Sequence, residues 1–111
     1  IADIEDARDR SLSDLKIRVS ILKSNRRSLR QQVENAQARV AATERSGVEP
    51  LPVDLENIKL LKREIDSTDD KIAAREAQIS EMTALYQRDI ERFEQLQDVV
   101  RLRHQMETPS Q

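Results

Sequence analysis

Lys16, Lys23 and Arg30 stand seven residues apart, Arg26 and Arg27 lie between the last two, and residues 16 to 30 contain no carboxylate. On a helix such a row presents cations along one side. That arrangement neutralises the phosphates of a nucleic-acid backbone or the headgroups of an acidic membrane. Three features weigh against that chemistry here. The chain is net −2, its second half is acidic, and no aromatic side chains interleave with the row to stack on bases. The reading favoured is a solvated face whose cations pair with the second half of the chain. Phosphate binding and an acidic protein partner are the alternatives, and nucleic acid is not the expected partner.

His104 is the only histidine and has no second ligand at helical spacing, so no metal site is expected. Without cysteine there is no thiolate nucleophile and no disulfide. Carboxylates are plentiful, but they fall on faces where no pocket would prepare them for proton transfer. A single glycine rules out a glycine-rich phosphate loop. No catalytic residue, cofactor or small-molecule substrate is expected. The function has to be sought in interaction or architecture.

The elements that would carry these residues are set by two apolar seams. The first reads Leu12, Leu15, Val19, Leu22, Arg26, Leu29, Val33, Ala36, Val40, in alternating steps of three and four. The second is Ile58, Ile65, Ile72, Ile79, Tyr86, Phe93, Val100, one residue every seven, with Leu61, Met82 and Leu96 between. That period belongs to helices packed knobs into holes. The composition agrees: 36% charged and 2% aromatic residues would not fill a globular core, but they suffice for a rod with one seam.

Helix one is expected over residues 1–46, with acidic first turns (Asp3, Glu5, Asp6, Asp9) that suit a helix N-terminus. Gly47 sits where a left-handed C-terminal cap is wanted, and Pro50 and Pro52 forbid continuation, so 47–53 reads as a loop. Asp54 is expected to cap helix two, with Val53 and Ile58 as a hydrophobic staple. Helix two then occupies 54–107, and 108–111 reads as a frayed tail.

The seams match end to end if the chain folds back about residue 50. Residues whose numbers sum to roughly 100 then pair, given equal rise per residue. Val40 meets Leu61, Leu29 meets Ile72, Leu22 meets Ile79, Leu15 meets Tyr86, Ala7 meets Phe93, and Ile1 and Ile4 meet Val100 and Leu96. The rod would be roughly 65–70 Å long. Charge supports the same fold. Up to Ser46 the chain has ten basic and seven acidic residues, net +3; from Asp54 it has nine and thirteen, net −4. The basic stretch would lie beside Asp69, Asp70, Glu76 and Glu81. The fold class is therefore all-α: a long antiparallel two-helix coiled-coil hairpin, able to associate into a dimer or four-helix bundle.

Polar residues interrupt the seam. Arg26 is expected to cover it with its stem while its head reaches Asp70 or Glu76, with Arg75 nearly opposite. Asp89 is expected near Arg8 and Arg10, fixing register at some loss of stability. Thr68 is tolerable. Off the seam, Ile17 and Ile21 on helix one and Leu85 and Ile90 on helix two (with Val99) form a candidate partner or oligomer face.

No apolar run approaches the ~20 residues needed to span a bilayer, and no signal-peptide pattern is present. The chain opens on Ile and reads as a segment of a longer protein. Its compartment is open, with a soluble cytoplasmic setting as the expectation. Its role reads as a non-catalytic scaffold, spacer or oligomerisation module that binds protein partners or itself through its helices. In shape and period the hairpin resembles those of bacterial periplasmic adaptor proteins and the small stalk-like proteins of type III export. That resemblance implies a component of secretion or efflux.

Overall fold

The computed structural model describes residues 2–107. The tail 108–111 and the expected pairing of Ile1 with Val100 lie outside the described residues. Two helices, α1 over Ala2–Arg45 and α2 over Pro52–Glu107, form an all-α hairpin. Each buries one narrow stripe, and neither contains an internal glycine or a proline beyond its first residue. The molecule measures 100 × 18 × 16 Å along its principal axes.

The turn is built from backbone bonds at both helix ends. Gly47 has a φ of 81°, which a residue without Cβ adopts at no steric cost. Its N–H donates to the Glu44 carbonyl at 3.0 Å, and the Val48 N–H donates to the Thr43 carbonyl at 3.2 Å. These two bonds make a Schellman cap, which satisfies carbonyls the last turn would otherwise leave open.

Helix two begins two residues earlier than expected. Pro52 is its first residue, where a missing N–H removes no helical bond and the fixed φ is already helical. The Leu51 carbonyl accepts from the N–H groups of Asp54 at 3.0 Å and Leu55 at 3.4 Å. Leu51 is thus the capping position, and Asp54 lies inside the first turn, where its charge still favours the helix dipole. Val53 lies inside the helix and is exposed, so the expected Val53–Ile58 staple is not formed.

The earlier start moves the fold-back point. Interhelical partners are Arg8 with Asp89, Lys23 with Glu76, and Arg26 with Asp69, whose numbers sum to 97, 99 and 95. The helices are therefore antiparallel, with paired numbers summing to about 97 rather than 100. Every expected cross-helix pair is displaced by about one helical turn.

Burial follows the seam closely on α1. Val19, Val33 and Ala36 are buried, and Leu12, Leu15, Leu22, Arg26, Leu29 and Val40 are half-buried. On α2, Ile58, Thr68 and Ile72 are buried, and Leu61, Ile65, Ile79, Met82 and Tyr86 are half-buried. The Thr68 hydroxyl donates to the Glu64 carbonyl at 2.8 Å, so its burial leaves no polar group unpaired. Beyond Tyr86 the expectation fails. Phe93, Leu96 and Val100 are 46%, 58% and 65% exposed. α2 has 56 residues and α1 has 44, so the end of α2 runs past the start of its partner. The same overhang explains why the rod exceeds the expected length.

Ile72, 4% exposed, is the most enclosed aliphatic side chain of α2. Ile72→Ala should destabilise the hairpin by about 2–3 kcal/mol in urea unfolding. Leu102→Ala, at an uncovered site, should change it by no more than about 0.5 kcal/mol.

Candidate interaction surfaces

The seam residues act only on each other, so the surfaces that could act on something else are the charged edges and the uncovered apolar rows. Along the edge, Arg26 donates to Asp69 Oδ1 at 2.8 Å, and its side chain is 25% exposed. Its head leaves the seam as expected, but it reaches Asp69 rather than Asp70 or Glu76, because the register is shifted. Arg75 turns to its own helix and donates to Gln78 at 3.2 Å, so the two guanidinium groups do not compete for one site.

At the loop-distal end, Arg8 closes the seam in two ways. It donates to Asp89 at 3.0 Å and stacks over the Tyr86 ring, 4.9 Å from its centroid. A cation held between a carboxylate and an aromatic face has one favoured position, which fixes the register there. The expected neighbourhood of Asp89 is thus observed with Arg8.

The basic row does not remain a free row. Lys23 pairs with Glu76 at 3.0 Å and Arg26 with Asp69. Lys16, Arg27 and Arg30 are exposed and make no ion pair among the described residues. Two of five cations are therefore committed to α2, which interrupts the row at its middle. Among the described residues, no group of three or more metal-ligating side chains is close enough to hold an ion. No helix there is long and apolar enough to cross a membrane. His104 is exposed on the overhang of α2.

The four aliphatics of the candidate partner face occupy three different sides. Ile17 and Ile21 each stand two positions from buried Val19, about 160° around the helix. They point away from α2, and each is 55% exposed. Leu85 and Ile90 flank the Tyr86 row on its two edges and are also exposed. The reading of residues missed two further surfaces. One is the loop tip, where Val48, Leu51, Val53 and Leu55 are exposed beside the prolines. The other is the overhang, where Leu96, Val100, Leu102 and Met106 join Val99, already placed beside the seam, with Phe93 exposed just inside the start of α1. Aliphatic residues inside a proline loop were a readable signal for the first. For the second, a seven-residue row looks the same whether or not a partner covers it.

Comparison with known proteins supplies no relative: no family model matches the chain, and neither does any curated protein or solved structure.

The Arg26–Asp69 pair is the least exposed of the ion pairs, and its strength can be measured directly. A double-mutant cycle with Arg26→Ala and Asp69→Ala should give a coupling of about 0.5–1 kcal/mol, weakening in high salt. The Lys23–Glu76 cycle should give about half of that or less.

Proposed function

We propose that this chain is a non-catalytic coiled-coil module that works through protein–protein contacts, as a scaffold, spacer or oligomerisation segment. The observation that carries the reading is the apolar surface left over once the hairpin has closed. A two-helix rod can hide one stripe per helix, yet Ile17 and Ile21 stand outside the stripe of α1, and α2 carries large apolar side chains along its uncovered end. Scattered single aliphatics are ordinary on a protein surface, whereas rows at helical spacing suit another helix.

The rod shape supports the same role. A straight element 100 Å long separates what is attached near its loop from what is attached near its other end. Its ion pairs hold register without occupying the outer faces. The loop is short, and both of its flanks are capped by backbone bonds, so the hairpin is pre-organised before any partner arrives.

Ile17→Asp combined with Ile21→Asp tests the lateral face. Circular dichroism should show unchanged helix content, because neither residue touches the seam. Sedimentation should show that complexes heavier than the 12.8 kDa chain lose the contribution of this face. An unchanged mass distribution together with unchanged partner binding would rule the face out.

A further inference from the structure

The overhang of α2 carries a seam that α1 begins but does not finish. With paired numbers summing to about 97, Ala2 lies level with residue 95. The row that α1 covers from Ile58 to Tyr86 continues without a slip through Phe93, Leu96 and Val100. A second row, Leu85, Arg92, Val99, Met106, runs beside it at the same seven-residue spacing. Val99 and Met106 widen the stripe towards a side that α1 does not occupy, so a further helix can lie there while α1 stays in place.

We propose that a second copy of this chain docks its own overhang antiparallel on this stripe, making an end-to-end two-fold dimer. The inference rests on the interaction reading above and assigns it one surface and one partner.

The stripe is self-complementary. A two-fold axis level with residue 98 sets Leu96 of one copy against Val100 of the other. The same axis brings opposite charges together. Residues 89–98 hold Asp89, Glu91, Glu94 and Asp98 against one cation, Arg92, while the following turn holds Arg101 and Arg103; Asp89 is paired with Arg8 and Asp98 with Arg101 at 3.2 Å, so the contrast left for a second copy is Glu91 and Glu94 against Arg103. Antiparallel pairing lays the basic turn of each copy beside the acidic turns of the other, whereas parallel pairing would set like against like. Such a contact is isologous and closes at two copies.

Phe93, Leu96, Val99, Val100 and Met106 lie on or beside the row, each about half exposed or more. Together they offer on the order of 500 Å² of apolar surface per copy, about 1,000 Å² for the pair, at the small end of specific interfaces.

Sedimentation equilibrium over a wide concentration range, with Leu96→Asp/Val100→Asp as the variant, tests the proposal. The wild-type chain should dimerise. The variant should keep its helix content, because α1 covers neither residue, and its dimer Kd should rise at least about 100-fold. Because the chain has no cysteine, Val99→Cys should cross-link between copies under copper-phenanthroline oxidation, while Ser46→Cys at the loop end should not.

A helical wild-type chain that stays monomeric at every concentration would overturn the proposal. So would a dimer that survives the distal substitutions but is lost with Ile17→Asp/Ile21→Asp; that result would leave the interaction reading standing. A monomeric hairpin that binds the helix of a different protein on this stripe would overturn the second-copy assignment alone. A wild-type chain without helix would defeat both readings.

Discussion

A single apolar seam, shared by two helices that run in opposite directions, is the constraint on which this molecule depends. Neither stripe is broad enough to bury itself. A helix of such polar composition gains its stability from tertiary contact rather than from propensity. The seam's buried side chains are few: Val19, Val33, Ala36, Ile58 and Ile72 are its apolar centre, with Thr68 satisfied by its own helix. Everything else follows from the need to keep those residues level with one another. The Schellman cap at Gly47 and the proline start at Pro52 reverse the chain. The ion pairs from Arg26, Lys23 and Arg8 resist sliding along the seam.

Sliding is the natural failure of a heptad hairpin, because a shift of seven residues restores the same apolar match. The polar positions within the seam remove that degeneracy. Arg26 can reach Asp69 only near the observed register, and Arg8 must sit over Tyr86 while it meets Asp89. Each exposed pair contributes little energy, but a seven-residue slip would replace the three with a single one, Lys23 with Asp69 or Arg26 with Glu76, and would part Arg8 from both Asp89 and Tyr86. Charge here selects alignment more than it adds stability. The same commitment of Lys23 and Arg26 to α2 leaves only part of the basic row facing solvent.

The helices and the reversal were legible because their signals are local. Alternating steps of three and four identify the α1 seam from Leu12 to Val40, and a lone glycine before two prolines marks the turn. Register was legible only to within a turn. Reading Asp54 as the cap placed the start of α2 two residues late, and proline at the first helical position looked like a loop residue. That displaced the partners expected for Arg26 and for every seam pair. The assignment of Phe93, Leu96 and Val100 to the hairpin seam failed for a non-local reason. Periodicity reports that a face is apolar, but the length of the partner helix decides whether it is covered. The candidate face of Ile17, Ile21, Leu85 and Ile90 grouped residues of two helices, whose spacing about Val19 and Tyr86 sets them on different sides.

Chain reversal with the observed register is tested most directly by one intramolecular distance. Spin labels at Ser11→Cys and Arg88→Cys, in labelled chain diluted with unlabelled chain, report the separation of the two helices near their open end. The hairpin predicts a distance below about 25 Å, from an interaxial spacing of 8–10 Å plus the reach of two labels. A separation on the order of 100 Å, as a continuous helix would give at ~1.5 Å per residue, would contradict it.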